Sequence, residues 1–92
     1  MNTKIIVIES GFVYIGNAVP FECHLLGKAI QVQRAQNIER WGTSEGLGQL
    51  ANVGKQTNTR LRFTGTITVP VSKILHLIDV EIEAAKSFGY EG

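Results

Sequence analysis

Short runs of hydrophobic positions, separated by polar and turn-forming residues, mark the start of the chain. Residues 4–9 and 12–15 are short runs rich in β-branched and aromatic side chains. Ser10 and Gly11, which separate the two runs, are typical of a tight turn. The chain is therefore predicted to open with a β-hairpin.

The β pattern continues into the second quarter of the chain. Gly16 and Asn17 predict a second reversal after the opening hairpin. Residues 19–26 and 29–33 retain strand character, and the last five alternate apolar with polar side chains. Gly27, which lies between these two pieces, predicts a bulge or bend.

The strictest alternation occurs in residues 59–63 and again in residues 66–69, on either side of the pair Thr64 and Gly65. This pattern predicts a second hairpin with one face toward the core and one toward solvent. The expected inner side chains are Leu61 and Phe63, and the expected outer ones are Arg60 and Arg62. Two guanidinium groups would then lie together on the solvent face.

The hydrophobic period changes after Pro70, a residue that can end a strand and open a helix. The following apolar positions have helical spacing, and Gly89 is placed as a C-terminal cap. These positions are Val71, Ile74, Leu75, Ile78, Ile82 and Ala85. We expect a helix of about four or five turns, at a rise of about 1.5 Å per residue. The alternative is a helix that stops near Asp79, followed by a strand over residues 80–84.

Together these elements predict a single α+β domain covering residues 1–92. Its expected architecture is a small, mostly antiparallel β-sheet or partial barrel with a short helical insertion and a C-terminal helix. The insertion is predicted within residues 40–54, R-W-G-T-S-E-G-L-G-Q-L-A-N-V-G. Thr43 or Ser44 is a suitable N-cap, and Gly54 is a suitable helix end. The helix would be held to the core by Leu47, Leu50 and Ala51.

Residues 40–54 also carry the candidate chemistry, since they hold the only tryptophan and four of the ten glycines. The start of a helix offers unpaired N–H groups and a partial positive charge. Beside it, Arg40 and the hydroxyls of Thr43 and Ser44 predict a cradle for a phosphate or carboxylate, and Trp41 can stack on a planar group. The candidate ligand-binding residues are Arg40, Trp41, Gly42, Thr43, Ser44, Gly46, Gly48, Arg60 and Arg62.

A purely structural interpretation of the same segment stays open. In it Trp41 fills the core, the glycines serve tight turns, and Arg40 pairs with Glu39 or Glu45. Established nucleotide motifs do not fit. Gly46 opens an incomplete dinucleotide-binding pattern, and Gly54 and Lys55 resemble only the end of a phosphate loop, without its other residues.

Complete catalytic and metal-binding motifs are missing from the sequence. Cys23 is the single cysteine, and His24 and His76 have no second ligand at helical spacing. Glu81 and Glu83 fall on different faces of the predicted helix, which disfavours paired-carboxylate chemistry. We therefore expect a protein that is not an enzyme and that needs no cofactor or metal.

Net charge is only +1, but it is unevenly distributed. Residues 28–62 hold six of the nine basic side chains and only two of the eight acidic ones. A basic middle and an acidic end suit both an anionic ligand and association between copies. A charged fraction of 18% in so short a chain also favours a homo-oligomer. Apolar runs are too short to span a membrane, no signal peptide precedes them, and the single cysteine favours the cytoplasm.

The run R-W-G-T-S-E-G-L-G-Q-L-A resembles the core pattern of a family of short phage and prophage proteins of unknown function, R-W-G-T-x-x-G-L-G-x-L-A. It matches from Arg40 to Ala51, and Val69 and Pro70 match a later V-P step. Lys55 departs from the pattern, where the family has a Gly-Pro step. The resemblance implies a viral origin, a host-cell cytoplasmic location and this order of elements, but no established chemistry.

The leading functional hypothesis is a non-enzymatic phage binding protein that sequesters a phosphate-bearing small molecule, such as a nucleotide signal of host defence. One alternative is a structural or protein-interaction module of a phage. Another is a nucleic-acid-binding accessory protein, which the low net charge disfavours because nonspecific affinity rests on many phosphate contacts.

Overall fold

The computed structural model describes residues 2–91 as five antiparallel strands and two short helices. The strands are β1 (Thr3–Ile8), β2 (Val13–Cys23), β3 (Gly27–Arg40), β4 (Arg60–Pro70) and β5 (Ile74–Asp79), and the helices are α1 (Leu47–Asn52) and α2 (Ile82–Ser87). One sheet contains all five strands in the order β4-β3-β2-β1-β5. The predicted α+β class, with a helical insertion and a C-terminal helix, is confirmed.

The opening hairpin forms where the sequence predicts it. Gly11 has a φ of 94° between β1 and β2, and Gly11 N donates to the carbonyl of Ile8 at 2.9 Å. The second predicted reversal, at Gly16 and Asn17, is wrong, because β2 continues through both residues. A Cβ on Gly16 would lie 2.6 Å from Cγ1 of Val32, so this glycine permits a close approach between strands rather than a turn. The predicted bend at Gly27 is confirmed, at the start of β3.

The predicted hairpin around Gly65 is also wrong. β4 runs unbroken from Arg60 to Pro70, and Gly65, with a φ of 96°, lies opposite Ala35 where the register with β3 shifts. Glycine in that conformation serves a bulge as readily as a turn, and the surrounding β-branched side chains favour continuation of the strand. The expected inner side chains are confirmed only for Leu61, which packs against the core, whereas Phe63 is 73% exposed.

The long C-terminal helix is absent from the described residues, and so is its alternative. After Pro70 a single 3₁₀ turn, Val71–Lys73, leads into β5, and the helix begins only at Ile82. β1 offers an edge to which residues 74–79 add as an antiparallel strand, with Ile78 opposite Ile5. The backbone bonds gained along that edge override the local helical spacing. Gly89 does follow the end of α2 with a φ of 93°, as expected.

The sheet is strongly curved, because a very short connection joins its two edges. β4 and β5 lie at opposite ends of the strand order, yet only three residues separate them. The two outer strands of a flat five-stranded sheet lie about 19 Å apart, across four spacings of about 4.8 Å each. Four extended residue steps cover about 14 Å at most. The sheet therefore bends toward a partial barrel.

Curvature gives the domain two hydrophobic clusters, one on each face of the sheet. Adjacent residues of β1 belong to different clusters: Ile5 packs on the helix side, and Ile6 packs inside the curve. Both are fully buried. Ile67 of β4 and Ile74 of β5 pack against the inner cluster from opposite edges. β1 is therefore covered on both faces, which explains its continuous apolar run.

Helices α1 and α2 pack side by side over the outer cluster. Leu50 and Ala51 are buried there and Leu47 is partly buried, which confirms the predicted core face of α1. Ala85 and Phe88 contribute from α2 and the residue after it. A backbone bond from Glu81 N to the carbonyl of Ala51 at 2.8 Å ties the two helical regions together.

Tyr90 fastens the end of the chain to the middle of the sheet. Its buried hydroxyl accepts a hydrogen bond from Nε2 of Gln36 at 3.1 Å and lies 3.0 Å from the carbonyl oxygen of Ile15. It also donates to the carbonyl of Arg34, a non-glycine residue with a φ of 55°. The guanidinium of Arg34 in turn lies 5.5 Å from the centre of the Tyr90 ring.

We expect Tyr90→Phe to lower the free energy of unfolding by about 1–3 kcal/mol, because buried polar partners lose their hydrogen bonds. Burial raises the pKa of Tyr90 above its ordinary value, outweighing the opposing effects of Gln36 and Arg34. Above about pH 10 the unfolded chain therefore loses this proton before the folded one does. The contribution of Tyr90 is complete below that pH and declines above it. Urea unfolding from pH 7 to pH 11 measures the free energy of unfolding of wild type and variant. The difference between the two free energies should narrow above pH 10, and a constant difference would contradict this.

Candidate functional site

A polar groove of about 580 Å³ lies where the end of β3, the start of β4 and the loop before β4 meet. Basic, hydroxyl and amide side chains dominate its walls. The lining residues are Gln36, Arg40, Lys55, Thr57, Asn58, Thr59, Arg60 and Leu61. Three positively charged groups therefore share one concave surface in a protein whose net charge is only +1.

Strand register brings two of these charges together. Arg40 and Arg60 are direct partners in the β3–β4 ladder, next to a register shift after Ile38. Like charges directly opposite each other on adjacent strands destabilise a sheet. Within residues 2–91, neither arginine has an acidic partner within 4.0 Å, and nor does Lys55. The groove is therefore an uncompensated cluster of positive charge.

Four basic residues outside the groove form ion pairs with nearby carboxylates. Lys4 pairs with Asp79, Lys73 with Glu9 and Lys86 with Glu83. Arg62, although two residues from Arg60, forms an ion pair with Glu39 at 3.0 Å. Glu39 is thus already engaged, and the structural interpretation in which Arg40 pairs with Glu39 or Glu45 is wrong.

The loop that forms the groove is held by contacts between two backbone segments. Gly42, with a φ of 68°, lies so close to the next segment that a Cβ would come within 2.3 Å of the carbonyl carbon of Asn58. Oγ1 of Thr59 donates to the carbonyl of Trp41 at 2.7 Å and accepts from the N–H of Gln56 at 2.9 Å. These contacts fix the polar turn over residues 57–58 beside Arg40 and Arg60.

Lys55 is placed by contact with α2. Its N–H donates to Oγ of Ser87 at 2.8 Å, and Gly54, with a φ of 109°, packs against the same serine. Nε2 of Gln56 also donates to the carbonyl of Gly54 at 2.8 Å. The N–H of Lys55 is thereby satisfied, and its side chain lines the groove.

The predicted anion cradle at the start of α1 is occupied by the protein itself. Oε1 of Gln49 accepts hydrogen bonds from Ser44 N at 3.2 Å, from Ser44 Oγ at 3.4 Å and from Glu45 N at 3.0 Å. The helix begins after Gly46, which makes no side-chain cap, so the N-cap predicted at Thr43 or Ser44 is wrong. Gln49 folds back and satisfies the donors that an anion was expected to use.

Two of the nine sequence-predicted binding residues, Arg40 and Arg60, meet in the groove. Arg62 lies outside the lining and pairs with Glu39. Trp41 is 43% exposed, and Oγ1 of Thr43 is buried with no hydrogen-bond partner among residues 2–91. None of Trp41, Gly42, Thr43, Ser44, Gly46 and Gly48 lines the groove, although Gly42 shapes its wall.

Several lining residues were missed from the sequence. Lys55, Thr57, Asn58 and Thr59 belong to the polar run K-Q-T-N-T-R between α1 and β4. Their signal was the absence of any apolar position for six residues, 55–60, at the start of the strand predicted over residues 59–63. Gln36 gives no local signal, since it lies within β3 and donates to the carbonyl of Phe88 at 3.0 Å.

Comparisons with protein-family models, with curated proteins and with solved structures gave no match. The resemblance to phage proteins therefore stays a prediction that rests on the R-W-G-T run and the later step at Val69 and Pro70. Among residues 2–91, no cluster of three or more histidine, cysteine or acidic side chains is arranged to hold a metal ion. No helix in that part of the chain is both long and apolar enough to cross a membrane.

Proposed function

We propose that this protein is a non-enzymatic binding module that holds a phosphate-bearing small molecule in the groove between Arg40, Lys55 and Arg60. The observation that supports this most is the direct opposition of Arg40 and Arg60 without an acidic partner among the described residues. A phosphate between the two guanidinium groups converts their repulsion into two charge-assisted interactions, since arginine binds phosphate bidentately.

The remaining lining groups suit the rest of such a ligand. Thr57 and Asn58 bring a hydroxyl and a side-chain amide to the turn above the arginines. Lys55 adds a third cation, which a second phosphate group can use. A groove of about 580 Å³ is within the range of pockets that hold nucleotide-sized molecules. We therefore propose a small molecule with more than one negative charge over a single inorganic ion.

Calorimetry with pyrophosphate, linear nucleotides and cyclic nucleotides tests this proposal. Arg40→Gln and Arg60→Gln should each weaken binding by about 10-fold to 100-fold, since one hydrogen bond to a charged group contributes about 1.5–3 kcal/mol. Arg62→Gln is the matched control, because this arginine lies two residues away but is paired with Glu39. Absence of binding across the panel, or equal loss in the Arg62 variant, would refute the proposed groove.

The stability of the same variants provides a second readout. Since Arg40 and Arg60 repel each other in the empty groove, Arg60→Gln should leave the free energy of unfolding unchanged or slightly higher. Loss of affinity without loss of stability would separate a binding role from a structural one. A clear loss of stability would indicate that the arginine serves the fold.

The phage origin and the host-defence ligand are the finer part of the proposal, and the R-W-G-T resemblance supports them. Mass spectrometry of small molecules released from the denatured, freshly purified protein identifies any copurifying nucleotide. A gel shift with single-stranded and double-stranded DNA distinguishes the nucleic-acid alternative, because such binding weakens steeply with salt.

A further inference from the structure

β5 leaves one edge of the sheet open. It pairs with β1 along one side, and no other strand of the described chain pairs with it. An unpaired edge presents backbone N–H and C=O groups that can accept a strand from another molecule. Many proteins protect such an edge with short strands, inward charges or a covering helix. β5 is only six residues long and has a bulge at Leu75, but its edge still displays apolar side chains, with Leu75 59% and Leu77 47% exposed.

The sequence of this strand, together with the residue before it, is self-complementary. Residues 73–79 read K-I-L-H-L-I-D, which is symmetric about His76 except that its two ends carry opposite charges. Two copies of the segment in antiparallel orientation place Ile74 opposite Ile78 and Leu75 opposite Leu77, twice each. Lys73, the last residue of the 3₁₀ turn before β5, then comes close to Asp79 of the other copy.

This register is one that antiparallel pairing allows. Hydrogen-bonded and non-hydrogen-bonded residue pairs alternate along two antiparallel strands. A twofold axis relates only pairs of the same type, so it must pass between one residue and the same residue of the other copy. An axis through His76 meets that condition and brings every apolar residue of the segment against another apolar residue. An axis through Leu75 or Leu77 does not, because it places charged or polar residues against apolar ones.

We propose that β5 is the interface of a homodimer, in which two copies pair edge to edge about a twofold axis at His76. The occupant of the open edge is therefore a second copy of this chain. Leu75 has no partner residue in β1, since the register skips it, and the second copy covers it. Lys73 and Asp79 keep substantial exposure despite their contacts with Glu9 and Lys4, so both can reach across the interface. Pairing of this kind joins two five-stranded sheets into one.

Light scattering across a protein concentration series gives the first test. Wild type should reach twice the mass of the single chain, and Leu77→Lys should remain at the mass of one chain. Leu25→Lys is the matched control, because Leu25 is 87% exposed on the turn between β2 and β3, away from β5. A monomeric wild type, or a Leu77→Lys variant that still dimerises, would overturn the proposal.

Charge reversal tests the register itself. Lys73→Asp and Asp79→Lys should each shift the equilibrium toward the monomer, since like charges then face each other across the axis. The double variant should restore the dimer. Within one chain the double variant leaves a carboxylate at position 73 near Glu9 and an ammonium at position 79 near Lys4, so restoration must arise between chains. If the double variant stays monomeric, this register is ruled out.

A disulfide at the axis gives a covalent readout. In a Cys23→Ser background, His76→Cys places two thiols on residues whose Cα atoms are about 4.5–5.5 Å apart, within the range that a disulfide spans. Mild oxidation should yield a covalent dimer. Leu77→Cys in the same background should yield much less, because its own copy lies diagonally across the axis at about 7–8 Å. Equal cross-linking of the two variants would contradict an axis at His76.

Discussion

Gly42→Ala should lower the free energy of unfolding by about 3 kcal/mol or more. The added Cβ would lie 2.3 Å from the carbonyl carbon of Asn58 and 2.5 Å from the nitrogen of Thr59, both backbone atoms that cannot swing aside. Overpacking costs about 1–3 kcal/mol, and a left-handed conformation costs a non-glycine residue about 1–2 kcal/mol more. Urea unfolding followed by circular dichroism measures the loss.

Gly48→Ala is the matched control for this substitution. Gly48 lies inside α1, has no neighbouring atom within 4 Å of an added Cβ, and lacks a positive φ. Alanine there should leave the free energy of unfolding unchanged or raise it by up to about 1 kcal/mol, because glycine is a poor helix former and Gly48 lies in the first turn of α1. If both variants lost stability equally, the close contact at Gly42 would not be its cause. Because Gly42 also holds the wall of the groove, its alanine variant should bind nucleotides more weakly as well.

Leu50→Ala should lower the free energy of unfolding by about 2–5 kcal/mol, the range for large-to-small substitutions in a packed core. The Leu50 side chain is fully buried where α1 meets the outer hydrophobic cluster. A six-residue helix has little intrinsic stability, so α1 depends on such packing to form. Loss of α1 would also release Lys55, which follows the helix closely.

Val53→Ala serves as the comparison for Leu50→Ala. Val53 is the C-cap residue of the same helix and is 68% exposed. Its truncation should change stability by no more than about 0.5 kcal/mol, as is usual for surface positions. Chemical denaturation of both variants gives the measurement. A similar effect at the two positions would mean that α1 is not anchored through its buried face.

Sequence reasoning succeeded where the decisive interaction is local. Leu47, Leu50 and Ala51 recur at helical spacing, and their burial followed from that spacing alone. The opening hairpin followed from Ser10 and Gly11 for the same reason. Where a glycine had two structural uses, the local pattern did not distinguish them. Gly65 serves a bulge, although its sequence equally fits a turn.

Predictions failed where distant parts of the chain decide the outcome. Residues 74–79 have helical spacing, but they form a strand because β1 presents an open edge to them. Arg40 and Arg60 are twenty positions apart in the sequence, and only the β3–β4 register places them opposite each other. In the predicted cradle, the side chain of Gln49 takes the N–H groups of Ser44 and Glu45, which local sequence does not reveal. Neither register nor side-chain direction is encoded in local composition.

The pairing of β5 with β1 also constrains how this protein acquires its structure. Lys4 and Asp79 meet although 75 positions separate them in the chain. Contacts of such long sequence separation raise the contact order and slow folding, because a large loop must close before they form. During synthesis, one side of β1 therefore remains unpaired until residues 74–79 have been made. A nascent chain that stalls at Pro70 would expose the unpaired side of β1 to aggregation.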